Sequence, residues 1–326
     1  MRGKPFSTWR WVAIGLLPAL VVFGGPSAGA ATLRWKFQPG ETLHYVMDQK
    51  TKTAVKAGGP QDLKSTMSQT IDMEWAVKDV DGDGQASLTQ TITRVRTKIE
   101  SGLGAAFEFD SKDPKDPEGP IGTSIAPLLR ALVGAEFAFK MNSQGELSDV
   151  KVPSKVLDSL KKTGTLGGAA GMFSEEGLKN MVTESSLALP KEELEKGKSW
   201  TRQTKIPMAP IGAMTLDKTY SYQGASPKDG KTLERIDLDT KVDFQLAPGD
   251  TIEVKIQAQE GKGSFFFDNK SGRIADSSVS EKLEMLFKLK VGDQQKEVVQ
   301  VNETSTTMKL VPGPAGDGGE ADSSKK

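Results

Sequence analysis

Residues 79–90 read DVDGDGQASLTQ, and alternating aspartates closed by a glycine are the donor set that a calcium loop uses. An EF-hand needs oxygen ligands at its first, third and fifth positions, glycine at the sixth and a bidentate glutamate at the twelfth, with helices on both sides. Asp79, Asp81, Asp83 and Gly84 meet the first half of that pattern. The twelfth position is the neutral Gln90. The flanks alternate as strands, with Met73, Trp75 and Val77 before the aspartates and Ala86, Leu88 and Ile92 after them. Asp and Gly are also the residues that a tight hairpin selects, through positive φ and bonds from side chain to backbone. The stretch is therefore read as a hairpin turn. Calcium at Asp79, Asp81 and Asp83 is the one cofactor that the sequence admits.

Other chemistry is thinner. His44 is the single histidine, on the strand face opposite Leu43, Tyr45 and Met47, and no G-x-S-x-G turn supplies a serine for it to activate. There is no cysteine, which removes thiolate metal sites, cysteine nucleophiles and disulfides. Ser159 to Lys162 fits S-x-x-K and Lys162 to Gly164 fits K-T-G, but one lysine cannot serve both sites. Asp237, Asp239 and Asp243 share a polar strand face, which leaves a carboxylate-dependent hydrolase as an alternative without a motif. No catalytic residue is assigned, and the chain is read as non-enzymatic.

These residues ride on long alternating segments. From 67 to 77, Met67, Gln69, Ile71, Met73, Trp75 and Val77 share one face. Ile236, Leu238, Thr240, Val242, Phe244 and Leu246 repeat the pattern, as do Ile252, Val254 and Ile256, and then Leu283, Met285, Phe287, Leu289 and Val291. Strands of about 11 residues reach roughly 36 Å, and half-polar strands belong to antiparallel sheets. Turns are expected at 58–60, 81–84, 229–230 and 292–293. Helical spacing appears at 123–133, capped by Thr123 and ended by Gly134, at 154–162, and from the cap Ser174 to about Leu187. A glycine-rich loop at 163–172 separates the last two.

Residues 1–30 have the form of a secretory signal peptide: Arg2, Lys4 and Arg10, an apolar run containing Pro18, then the small residues Ala28-Gly29-Ala30. The expected product is exported, to the periplasm or the extracellular space, with no further membrane-spanning segment. The chain balances 43 basic against 43 acidic residues, and losing the leader leaves a slight acidic excess, so nucleic acid is not expected as a partner. Only 6% of residues are aromatic, with three tyrosines, too few for the aromatic girdles of an outer-membrane barrel. Residues 311–326 are rich in Pro, Gly and polar residues and read as a disordered tail.

An internal repeat is visible. Phe139, Asn142, Gly145, Leu147 and Asp149 recur with the same spacing as Phe266, Asn269, Gly272, Ile274 and Asp276. The organisation expected is an N-terminal β unit at 31–152 that includes the helix near 123–133, a helical connector at 153–194, and a C-terminal β unit at 195–310. The fold class is mainly β (α+β), with two related antiparallel, long-stranded curled sheets or open barrels. The segments LRWKFQPGETLHY, MSQTIDMEW, GELSDVKVP, MFSEEGLKNM and GKSWTRQ together resemble a family of exported bacterial proteins of unknown function, frequent in planctomycetes. That resemblance implies no catalytic residues.

A one-sided apolar sheet must bury that side by closing or by curling around helices. Helices that fail to fill it leave an apolar cavity. Function is therefore read as binding or envelope association, with ligand and partner unknown. The sharper alternative is a carrier of an apolar or lipid ligand, with Met73, Trp75, Leu238, Phe244 and Phe287 as its wall. Against it stands a core plugged by Leu128, Leu132, Leu178 and Met181.

Overall fold

The computed structural model describes residues 30–313 except 59–61, 103, 105, 164–173, 185, 209–211, 247–251 and 292–293. The expected leader, most of the tail, the glycine-rich loop and the turn at 292–293 lie outside the described residues, as do Gly59 and Pro60 of the turn at 58–60.

Six strands precede the helical connector: β1 (Thr42–Lys56), β2 (Leu63–Val80), β3 (Ala86–Ser101), β4 (Ala106–Asp110), β5 (Glu136–Met141) and β6 (Leu147–Lys151). Six follow it: β7 (Ser199–Met208), β8 (Gly212–Lys228), β9 (Lys231–Leu246), β10 (Ile252–Asp268), β11 (Arg273–Val291) and β12 (Gln294–Val311). All twelve form one antiparallel sheet in the order β6-β5-β3-β2-β1-β12-β11-β10-β9-β8-β7, with β4 paired to β3, and the sheet does not close into a barrel. The long-stranded antiparallel architecture is the expected one. The two sequence units meet edge to edge, because β1 pairs with β12 from His44↔Val311 to Lys56↔Val299. The strands also run longer than the clearest alternation: β11 has 19 residues, roughly 60 Å.

Register defines the two faces. On the inner face Leu43, Tyr45 and Met47 of β1 align with Trp75, Met73 and Ile71 of β2, while His44, Val46 and Asp48 face out. The inner face near the start of β1 carries the main core. Trp35, Trp75, Tyr45 and Phe267 are at most 2% exposed, Trp35 stacks on Trp75 at 6.1 Å between ring centres, and Phe267 meets Trp35 edge-on at 5.6 Å.

What covers this core is an extended segment at 31–38 together with the connector. The segment is laced to both repeat motifs: Trp35 N donates to Ser143 O at 2.8 Å, and Lys36 N donates to Gly272 O at 3.1 Å. The repeat glycines permit that approach, since Gly145 (φ +81°) packs against Trp35 and Gly272 (φ +67°) against Lys36 with no room for a Cβ at either. The two turns differ in detail. Gly145 N donates to Asn142 O, whereas Gly272 N donates to Asp268 O, and the Asn269 side chain reaches Thr32 O instead.

Three helices complete the cover: α1 (Gly119–Leu132), α2 (Ser154–Thr163) and α3 (Glu175–Glu184). Helix α1 starts four residues before the expected 123, because a proline in a first turn has no amide left unpaired. Thr123 is thus inside the helix and not its cap, with its Oγ1 donating to Gly119 O. Ser174 does cap α3, accepting Gly177 N at 3.0 Å. That helix ends at Glu184, before the buried Leu187, whose carbonyl accepts Trp35 Nε1–H at 2.9 Å. Of the four expected core plugs, Leu128 and Leu178 are buried and Leu132 packs against the core, while Met181 is 54% exposed.

Trp35→Ala removes the ring that joins both halves, and the expected cost is about 3–5 kcal/mol, read as a shift of the denaturation midpoint. With one continuous sheet, unfolding followed by near-ultraviolet and far-ultraviolet circular dichroism is expected in a single coincident transition; two separated transitions would show that the halves fold independently.

Candidate functional site: a split in the sheet

Most neighbouring long strands pair along nearly their whole length; β8 and β9 run from Gly212↔Leu246 to Lys228↔Lys231. Strands β9 and β10 pair only between Glu234↔Phe267 and Asp239↔Lys262. Past that point no ladder joins them among the described residues, and a cleft of about 440 Å³ opens between Val242, Asp243 and Phe244 on one side and Val254 to Gln259 on the other.

The local sequence explains the split. Gly261 lets β10 approach Thr240 so closely that a Cβ there would fall 2.9 Å from the threonine Cβ. The register of β10 against β11 then shifts between Ile256 and Ala258, and such a bulge bends a strand away from its neighbour. Gln259 closes the head of the cleft: its Oε1 accepts Val242 N at 2.6 Å and its Nε2 donates to Val242 O at 3.1 Å. One side chain thus takes the place of the missing peptide group.

The inner-facing positions around the cleft are apolar. Met214 and Leu216 of β8, Val242 and Phe244 of β9, and Val254 and Ile256 of β10 are half-buried, and Phe287 of β11 aligns with Val254. The opposite face at the same level carries Asp217, Lys241, Asp243, Glu253 and Lys255. Toward β1 the inner face turns polar, with Gln49 bonded to Thr306, Thr51 to Thr304 and Thr53 to Asn302. The apolar area is therefore confined to the C-terminal half.

One row separates this area from the covered core. It contains Arg202 of β7, Lys218 of β8 and Thr240 of β9, neighbours in register. Glu184, the last residue of α3, bonds Lys218, accepts from Thr204 Oγ1 at 2.6 Å and lies 3.5 Å from Arg202. Burial opposes ionisation of Glu184, but Lys218, Thr204 and Arg202 outweigh it and hold its carboxyl below the ordinary glutamate range. Burial pushes the neighbouring Tyr220 hydroxyl up to about 12, with the charge of Glu184 adding to the effect.

The five residues expected as an apolar wall do not line one space. Met73, Trp75 and Leu238 are buried in the main core, at 6%, 1% and 4% exposure. Phe244 and Phe287 lie half-buried in the open region. The sequence reading overlooked Lys218, Arg202 and Glu184. Their signal was present, since Lys218 interrupts the inner-facing series Met214, Leu216, Tyr220 and Tyr222.

The aspartate stretch is a hairpin turn. Asp81 Oδ1 accepts Asp83 N at 3.0 Å and Gln85 N at 2.9 Å, and Gly84 has φ +79°. No group of three or more His, Asp or Glu converges on one point among the described residues. His44 faces outward, with Nδ1 3.3 Å from Glu74 Oε1. Asp237 pairs with Arg235 at 2.8 Å on the open outer face. Carboxyls of Glu100, held by Lys98, and Asp110, held by Arg94, are moved downward, the reverse of what a general acid requires.

Two measurements follow from these geometries. Asp81→Ala is expected to lose about 1 kcal/mol of stability, for the acceptor of two turn amides, while calcium leaves the wild-type Tm unchanged; a calcium-dependent rise abolished by that substitution would make the turn a metal site. The depressed Glu184 carboxyl contributes stability that is complete above about pH 4.3 and fades as pH falls through its folded-state pKa. Glu184→Gln is therefore expected to cost about 1–3 kcal/mol at pH 7, with the gap to wild type narrowing as the pH drops below about 4.

Comparison with known proteins adds family membership. Residues 83–274, more than half of the chain, match the profile of a family of unknown function, DUF6263. No curated protein sequence matches. Among solved structures, lipovitellin, studied for its lipid-protein interactions, aligns over 86% of this chain and 26% of its own length, at 15% identity and a TM-score of 0.40. The chain thus spans about a quarter of that protein's length. DynF from the dynemicin biosynthesis pathway of Micromonospora chersina aligns over 92% of this chain and 95% of its own, at 7% identity and a TM-score of 0.22. An outer membrane channel from Pseudomonas putida F1 aligns over 84% and 97%, at 11% identity and a TM-score of 0.22. The chain belongs to the DUF6263 family of unknown function.

Proposed function

We propose that this protein is an exported, non-enzymatic binding protein that takes an apolar ligand into the cleft between β9 and β10. The observation that carries the reading is the split itself. Two strands that are partners only between Glu234↔Phe267 and Asp239↔Lys262 part company toward the connection that joins them, where their inner-facing residues are Val242, Phe244, Val254 and Ile256. In this cleft of about 440 Å³ the side chains of Val242, Phe244, Val254 and Ile256 gain roughly 25 cal/mol for each Å² of apolar surface that a ligand removes from water, while Asp243, Lys255, Gln257 and Gln259 form its polar part. Export is supported by the form of residues 1–30. No helix among the described residues is long and apolar enough to cross a membrane.

Displacement of a fluorescent fatty acid from the mature protein tests this. Saturable binding at one site is expected, and Phe244→Asp or Val254→Trp is expected to weaken it at least tenfold, by charging the wall or filling the cleft. Saturable binding that survives both substitutions would move the site elsewhere, and no binding at all would remove the reading.

A further inference from the structure

Resting on that reading, we propose that the ligand is an anionic amphiphile: a carboxylate or phosphate head held at Lys218, Arg202 and Thr240, with its hydrocarbon chain running down the split from them.

The three residues occupy one inner-face row, one inner-facing position before Val242, where the cleft starts. Arg202 pairs with Lys218 across β7 and β8, and Lys218 with Thr240 across β8 and β9. The β9–β10 ladder ends at Asp239↔Lys262, one residue from Thr240. A head group in this row therefore sits where the apolar walls begin.

Charge points the same way. Two cations, 22% and 16% exposed, share the single carboxylate of Glu184. One positive charge is left over in a half-buried place next to apolar surface, where an unpaired ion is costly and a ligand anion relieves the cost. Among the described residues no other acid lies within ion-pair distance of either cation. Glu281, the next charge along the row, is three strands from Lys218, roughly 14 Å, and Glu175 at the far end of α3 is paired with Lys179.

Thr240 supplies an independent observation. It is 6% exposed, and its Oγ1 has no hydrogen-bond partner among the described residues. A buried hydroxyl left without a partner costs free energy that an acceptor oxygen recovers.

Competition titrations with palmitate, hexadecyl phosphate and hexadecanol test the head-group site, because the three share a chain and differ in charge. Wild type is expected to prefer both anions over the alcohol by about tenfold or more, the scale of one charge-assisted hydrogen bond. In Lys218→Met/Arg202→Met that ratio is expected to fall to near one, and Lys218→Arg is expected to restore most of it. Thr240→Val, which preserves shape and removes the unpartnered hydroxyl, is expected to lower the ratio without lowering Tm. Equal affinity for anion and alcohol in wild type would overturn the head-group site while leaving the apolar cleft standing. A ratio unchanged in the double variant would overturn it too. Binding of none of the three would overturn both readings.

Discussion

The structure rests on the need to cover one oily face of an open sheet. Alternating strands of up to 19 residues put apolar side chains on a single side, and an open sheet cannot hide that side within itself. At the start of β1 the cover is complete: the segment at 31–38, the connector and α3 press Trp35, Leu178 and Leu187 onto Trp75 and Tyr45. The cover ends at Glu184, whose carboxylate marks the border with Lys218 and Arg202. Beyond it the face continues with Val242, Phe244 and Val254, and the sheet itself divides.

The N-terminal segment explains why the two sequence units behave as one body. It is a strap tied to Ser143 near one repeat turn and to Gly272 at the other, with Trp35 driven between them. Each repeat glycine lies where the strap passes too closely for a side chain. The repeated motif thus contributes two landing points for a third segment as well as two hairpins, a role that five matched positions in isolation do not express.

Much of the fold was legible because period-two alternation is a direct image of a two-faced strand. Met73, Trp75 and Val77 against Glu74 and Ala76 could be read as face and back without further help, and so could the hairpin at Asp81 and the cap at Ser174. The join of β1 to β12 was not legible, since pairing across some 250 residues depends on strap and turns acting together. Helix α1 starts at Gly119 and not at 123, because Thr123 has the side chain of a cap while the proline ahead of it fits a first helical turn equally well. In the binding region, periodicity marks Phe244 and Phe287 as inner-facing but says nothing of how far along the strand the cover extends. That limit is why Met73, Trp75 and Leu238 were grouped with them. The split was hidden for a related reason: a bulge between Ile256 and Ala258 changes one phase angle in a pattern that otherwise continues.

The account's central claim is that the uncovered, divided part of the inner face is where an apolar molecule sits. The most direct measurement is nuclear magnetic resonance of methyl groups in the presence of a nitroxide-bearing stearate. Broadening concentrated on Val242, Val254 and Ile256 is the predicted result. Equal broadening of Val299 and Val301 on the outer face, or none at the three cleft residues, would contradict it.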